Sequence, residues 1–301
     1  MSWFDRAVSL TLPLVPKPVV RHFSKRYIAG ATIDEALEVV RDLRRQKAMA
    51  TIDILGEFIS RREEAKANTE AYIDLLKRVH QEQLSDTNIS VKLTSLGLSL
   101  DQSLCLENMR QLLDEVRKVG NFIRIDMEDS PCTTATLEIY RTLRSEYGEL
   151  VGVVLQSRLR RTLDDVDDVA REPTNFRLCK GIYVEPREIA FTDPELIRRN
   201  FVLVLDRMFE LGCYVGIATH DEQLVWESLR LIRKHGPNGQ GYEFQMLLGV
   251  DEQLRKILID EGHRLRVYVP YGKHWYRYSV RRLRENPQIA GYALKAIFKR
   301  A

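Results

Sequence analysis

At 301 residues, 44% hydrophobic and 30% charged, the chain has enough apolar material for one large core or two ordinary ones, and its composition excludes a disordered or fibrous protein. A formal net charge of +3, with Lys and Arg interleaved among Asp and Glu, is too small to argue for a nucleic-acid partner. The four cysteines (Cys105, Cys132, Cys179, Cys213) lie far apart, form no C-x-x-C pair and read as reduced thiols of a cytoplasmic protein.

The first residues, MSWFDRAVSLTLPLVPKPVVRHF, contain an apolar run at 7–15 that is about half the ~20 residues a membrane span needs. Pro13, Pro16 and Pro18 interrupt it, Asp5 and Arg6 precede it, and no small-residue cleavage site follows, so neither a span nor a signal peptide is expected. The expectation is an N-terminal helical arm, residues 1–48. Its Trp3, Phe4, Leu10, Leu12, Leu14 and Val15 pack on the rest of the molecule. In the alternative they meet a membrane, with Lys17, Arg21, Lys25 and Arg26 near anionic lipid.

Helical periodicity predicts helices at 33–48, 61–84, 103–119, 133–147, 158–170, 194–211, 222–234, 252–261, 275–284 and 289–299. Between them fall β-rich runs at 50–55, 89–93, 122–127, 151–156, 176–183, 214–219, 242–248 and 266–271. Eight strands alternating with helices are what a closed parallel barrel requires. A doubly wound sheet would need a Gly-rich phosphate turn after an early strand. The clustered glycines here, Gly236-Pro-Asn-Gly-Gln-Gly241, follow a helix instead, and no Walker sequence occurs. The predicted fold class is α/β, a (β/α)8 TIM-like barrel over residues 49–301 preceded by the arm of 1–48.

Strand side chains alternate between two faces, so residues of one parity share a direction. In Ser90-Val91-Lys92-Leu93-Thr94 the apolar Val91 and Leu93 suit the helix side, which sends Lys92 into the lumen with Ser90 and Thr94. In Ile123–Glu128 the same rule places Arg124, Asp126 and Glu128 inside. In the fifth strand Arg177 and Cys179 oppose Phe176 and Leu178. Burying a charge costs several kcal/mol unless it is paired, and an ion network that only fixes register is one reading. Position favours another: Asp126, Gln156, Thr219-His220 and Tyr268 fall near the carboxyl ends of their strands, where barrel enzymes place their chemistry. The six histidines are dispersed, with no H-E-x-x-H and no i, i+4 pair, so no metal is expected and His220 reads as a hydrogen-bonding residue. No G-x-S-x-G turn supports nucleophilic hydrolysis.

The stretch 266–286, RVYVPYGKHWYRYSVRRLREN, runs as a strand, breaks at Pro270 and Gly272, and resumes as a helix. That helix presents adjacent Arg281 and Arg282, with Glu285 one turn after Arg281. Two guanidinium groups suit a carboxylate or phosphate; a solvated basic face is the plain alternative.

With these motifs in hand, the chain resembles the flavin-dependent proline dehydrogenases, in particular the short single-function bacterial enzymes. The resemblance rests on SVKLTSLG (90–97), RIDMEDSP (124–131), VVLQS (153–157), RLCKGIY (177–183), ATHD (218–221), FQMLLG (244–249) and RVYVPYG…WY…RRLREN (266–286), in the family's order. It implies a distorted (β/α)8 barrel holding FAD that oxidises L-proline to Δ1-pyrroline-5-carboxylate, the first step of proline breakdown, and passes electrons to a membrane quinone. It also implies a cytoplasmic enzyme touching the inner face of the cell membrane, with a pyrroline-5-carboxylate dehydrogenase as partner. Lys92, Arg281 and Arg282 match the family's substrate-carboxylate contacts, and Asp126 with Arg177 its active-site pair. Met127, Gln156, Lys180-Gly181-Ile182 and Thr219-His220 match its flavin contacts. Tyr268 resembles the aromatic that packs on the substrate ring, and Glu285 the carboxylate that orients the arginine pair. The chain departs from the family at Ile182, where alanine is frequent. Two other readings stay open: Schiff-base chemistry at Lys92 or Lys180, and a non-catalytic sensor that keeps the carboxylate clamp.

Overall fold

The structure, a computed structural model, describes residues 26–56, 59–237, 240–276 and 278–279. Eight parallel strands close into a barrel in chain order: β1 (Met49–Ile54), β2 (Thr87–Val91), β3 (Ile123–Ile125), β4 (Val151–Gln156), β5 (Asn175–Cys179), β6 (Tyr214–Ala218), β7 (Tyr242–Leu247) and β8 (Leu265–Tyr271). The barrel read from the sequence is borne out. Each strand up to β7 is followed by a helix on the outside: α2 (Arg62–Gln81), α3 (Gln102–Val119), α4 (Ser130–Tyr147), α5 (Thr162–Val169), α6 (Pro194–Glu210), α7 (Glu222–His235) and α8 (Glu252–Asp260). Among the described residues no helix is long and apolar enough to cross a membrane.

Among the described residues one helix precedes the first strand, α1 (Ile33–Arg45). Thr32 starts it: its hydroxyl accepts from the Glu35 N–H, and the Glu35 carboxylate accepts in return from the Thr32 N–H at 3.0 Å, a reciprocal cap. Ala36, Leu37, Val40 and Leu43 form its buried stripe, laid against β1 and β8 as part of the main core. Residues 1–25, which include the apolar run, and residues 281–301, with Arg281, Arg282, Glu285 and the helix expected at 289–299, lie outside the described residues.

Strand parity builds the core as expected. Ile89, Val91, Ile123, Ile125, Val153, Phe176, Leu178, Val215, Ile217, Phe244, Val267 and Val269 point outward under the helices and are fully buried. Each contributes roughly 1.5–3 kcal/mol of burial. The opposite parity fills the lumen with polar groups. In the lower layer Arg266 holds Glu243 at 2.7 and 3.1 Å, and Arg124 donates to the Asn175 carbonyl at 2.5 Å and to its side-chain oxygen.

β2, β3 and β5 end sooner than the sequence suggested, and this alters what faces the lumen. β3 stops at Ile125, so parity does not extend to Glu128. That residue turns aside instead, its carboxylate accepting from the N–H and hydroxyl of Thr94. Thr94 in turn belongs to a 3-10 turn, Leu93–Leu96, rather than to the strand, and is fully buried beside Glu128 rather than lining the lumen. Both expectations for these two side chains are corrected by the early end of β2 and β3. β5 likewise stops at Cys179, leaving Lys180–Tyr183 as loop.

Candidate active site

A cavity of about 480 Å³ opens at the carboxyl ends of the strands. Every candidate from the sequence that falls within the described residues lines it: Lys92, Asp126, Met127, Gln156, Arg177, Lys180, Gly181, Ile182, Thr219, His220 and Tyr268. Strand ends supply them one after another. Lys92 caps the short turn just past β2, Asp126 and Met127 follow β3, Gln156 ends β4, and Arg177 sits two residues before the end of β5.

At the floor lies a charged cluster. Lys92 Nζ is 2.8 Å from Asp53 Oδ2 and 3.5 Å from Asp126 Oδ2, and donates to the Tyr268 hydroxyl at 3.1 Å. Arg177 donates through NH1 to Asp126 Oδ1 at 2.6 Å, through NH2 to Ser90 Oγ at 3.0 Å, and through Nε to Gln245 Oε1. Tyr268 completes the circle by donating to Asp126 Oδ2 at 2.6 Å. The Arg177 guanidinium carbon is 5.4 Å and Lys92 Nζ 5.8 Å from the centre of the Tyr268 ring, close enough for cation–π attraction.

These contacts set the ionisation of the cluster. Burial pushes the Asp126 carboxyl up, but Arg177 and Lys92 beside it, with the Tyr268 hydrogen bond, outweigh that and hold it below the usual carboxylate range. Tyr268 goes the other way. Burial, then the Asp126 and Asp53 carboxylates, keep its phenol protonated far above its ordinary value. Its half-buried side chain lines the cavity. The phenol is therefore a fixed donor, and Asp126 a carboxylate whose oxygens already accept from Arg177 and Tyr268.

The rim is built differently. Gly181 has φ +90, and a Cβ there would overlap the Gln156 side-chain oxygen, with the Gln156 Cβ at 3.2 Å. Only glycine lets the loop backbone lie this close to the end of β4. Gln156 is fixed by donating to the Glu128 carbonyl at 2.7 Å. His220 Nε2 accepts from the Leu247 N–H at 2.9 Å, so that nitrogen is unprotonated and the ring is a hydrogen-bonding group, as expected. Thr219 Oγ1 accepts from the Asp221 N–H, and Asp221 takes Lys180 at 2.9 Å and Arg198 at 2.8 Å. Ile182, 43% exposed, stands on the lip. Among the described residues no group of three or more His, Cys, Asp or Glu is placed to hold a metal.

The profile of the family described as proline dehydrogenase matches residues 36–293. The chain belongs to that family. It is 36% identical over 282 residues to a proline dehydrogenase of Deinococcus radiodurans, covering 92% of this chain and 91% of that one. To proline dehydrogenase 2 of Bacillus subtilis it is 36% identical over 275 residues, 91% and 90% of the two chains. The crystal structure of proline utilization A (PutA) from Bdellovibrio bacteriovorus, inactivated by N-propargylglycine, superposes with a TM-score of 0.83 at 25% identity. It spans 89% of this chain and 33% of that longer one. An oxidoreductase of this family in a closed barrel is thus what the comparisons give.

Residues outside the sequence candidates also enter the site. Asp53 binds Lys92, Ser90 and Gln245 hold Arg177, and Tyr278, buried with Tyr27, Ile28 and Leu55, lines the cavity. Asp53 and Gln245 alternate with Ile52 and Phe244 in their strands, so the parity rule applied to β1 and β7 would have found them. Arg281, Arg282 and Glu285 lie outside the described residues.

Proposed function

We propose that this chain oxidises L-proline to Δ1-pyrroline-5-carboxylate with FAD, as the first step of proline breakdown, and releases its electrons to a membrane quinone. The observation that supports this most is the convergence of Lys92, Asp126, Arg177 and Tyr268 on one cavity in a chain of the proline dehydrogenase family.

The residues present suit FAD. Gly181 offers bare backbone at the rim, Gln156, Thr219 and His220 offer directional polar groups, and Lys180 with Arg198 brings positive charge toward a pyrophosphate. Val154, Met127, Met246 and Leu247 add apolar wall, and a cavity of about 480 Å³ falls in the range of small-molecule sites. When bound, the flavin accepts the hydride from the proline ring.

The chain's own part is placement and electrostatics. Lys92, with Arg281 and Arg282, fixes the substrate carboxylate, and Tyr268 packs on the ring, held by Asp126 and Lys92 so that it cannot swing. The positive charge that Arg281 and Arg282 would add favours the neutral amine that must form before hydride leaves. Asp126 orients Arg177 and Tyr268. Met127, Ile182, Thr219 and His220 shape the cofactor side. Lys92, shared between two carboxylates, is a poor Schiff-base nucleophile, which weighs against a lyase. Pyrroline-5-carboxylate dehydrogenase is the enzyme class that would consume the product. The enzyme would work in the cytoplasm at the inner face of the membrane.

Absorption spectra of the purified protein before and after L-proline test this reading. A flavin spectrum that bleaches with proline and recovers with a soluble quinone is expected. A colourless protein that takes up no FAD would sink the proposal.

A further inference from the structure

Gln245 sits on the lumen face of β7, 5% exposed, and beyond its contact with Arg177 carries no role in the proposed function. Its amide is caught between two charged neighbours that permit one orientation. A guanidinium can only donate, so the amide oxygen is what meets Arg177 Nε. A carboxylate can only accept, so the amide nitrogen donates to Glu243 Oε1, at 2.6 Å. Glu243 is itself clamped by Arg266 at 2.7 and 3.1 Å. On the other side the β6 neighbour is Gly216, where a Cβ would overlap this amide. The amide can neither flip nor slide.

Arg177 therefore has its three N–H edges directed by three partners: Gln245 at Nε, Asp126 at NH1 and Ser90 at NH2. The geometry points to Gln245 as a positioning residue: its oxygen, oriented by Glu243, fixes the plane of Arg177 so that the guanidinium edge meets Asp126 at the cavity floor. This deepens the proposed function and rests on it.

The consequence falls on Asp126. Among the described residues the charged and titratable groups facing it are Arg177 from β5, Lys92 from the end of β2 and Tyr268 from β8, with Asp53 of β1 behind Lys92 and with Cys179 of β5 and Tyr72 of α2 within electrostatic reach. Burial alone would raise its carboxyl, and Arg177 is the largest influence against that. If the guanidinium is no longer held, the carboxyl takes up a proton at higher pH.

Gln245→Met keeps the volume and removes the acceptor. The carboxyl 13C resonance of Asp126, assigned by its loss in Asp126→Asn, gives a readout without turnover. In the wild type it stays ionised through the ordinary carboxylate range. In Gln245→Met its protonation should move up by about one pH unit or more, with kcat/KM for proline falling about ten- to a hundredfold. In an Arg177→Lys background, which lacks the Nε–H, Gln245→Met should cause no further shift. A Gln245→Met enzyme that only loses thermal stability, with Asp126 titrating as in the wild type, overturns the proposal. Where Gln245→Met does not fold, Gln245→Asn, which withdraws the amide by one methylene, carries the same test. A wild type that neither binds FAD nor oxidises proline takes down both readings, whereas an active wild type with an unmoved Asp126 in the variant takes down only this one.

Discussion

Replacing Asp126 by asparagine separates two roles for the central carboxylate. The substitution keeps shape but removes the charge that Arg177 meets at 2.6 Å, Tyr268 at 2.6 Å and Lys92 at 3.5 Å. As an orienting group, Asp126 contributes through the charge-assisted bond to Arg177, because the amide can still accept from Tyr268. One such bond is worth roughly 1.5–3 kcal/mol, or about ten- to a hundredfold in kcat/KM. As a general base it would instead contribute about 10²–10⁴-fold. The structure favours the smaller figure: both carboxylate oxygens are already engaged by internal donors, and its pKa lies below the ordinary value, so it has little affinity for a substrate proton. The assay is steady-state kinetics on holoenzyme of matched flavin content. A loss beyond 1,000-fold with the flavin intact would refute the orienting role.

Gly181→Ala meets both a positive φ and the Gln156 side chain, which should cost about 1–3 kcal/mol and show as a lower flavin-to-protein ratio in the purified enzyme; full flavin content would contradict the rim assignment. Glu243 has its carboxyl lowered to about 2, because Arg266, with Tyr214 and Gln245, outweighs burial. A depressed carboxyl adds stability that is fully present above about 4.5 and is lost as pH falls toward about 2. Glu243→Gln strands the Arg266 guanidinium and should lower Tm at neutral pH by roughly 10 °C, and should also flatten the acid dependence of stability; an unchanged melting curve at both pH values would count against the pair. Tyr268, held from two sides, should crowd a hydroxyl on the substrate ring, so kcat/KM for proline should exceed that for hydroxyproline, and equal values would remove Tyr268 from the substrate pocket.

The barrel was legible because each strand is a short run bearing β-branched or aromatic residues beside an amphipathic helix, and because period-two alternation separates Ile89, Val91, Ile123 and Ile125 on the outside from Ser90 and Arg124 within. Alternation fails where the strand stops. Thr94 and Glu128 leave the lumen because β2 and β3 end just before Lys92 and Asp126, and a strand's end leaves no mark in a pattern that still alternates. Asp53 and Gln245 could have been found by carrying the same rule to β1 and β7. The union of Asp126 and Tyr268, 142 residues apart, could not. It depends on closure of β8 against β1, a long-range event invisible to local periodicity.

The charge count at the cavity floor bears on where a substrate carboxylate would be held. Lys92 and Arg177 stand opposite Asp53 and Asp126, two cations against two anions, and at the rim Lys180 shares Asp221 with Arg198, which also meets Glu195 at 3.8 Å. Among the described residues the site is therefore close to neutral before any ligand arrives. A substrate acid group adds a negative charge to a low-dielectric space and needs a cation not already shared with a carboxylate. Lys92 can turn toward it only by loosening from Asp53 or Asp126, which costs part of what the new contact returns. The adjacent Arg281 and Arg282, which lie outside the described residues, carry two positive charges with Glu285 the one acid in the stretch 281–286. Under the proposed clamp that arginine pair would add the positive charge the carboxylate needs, while Lys92 would give up part of its hold on Asp53, Asp126 and Tyr268 to join it.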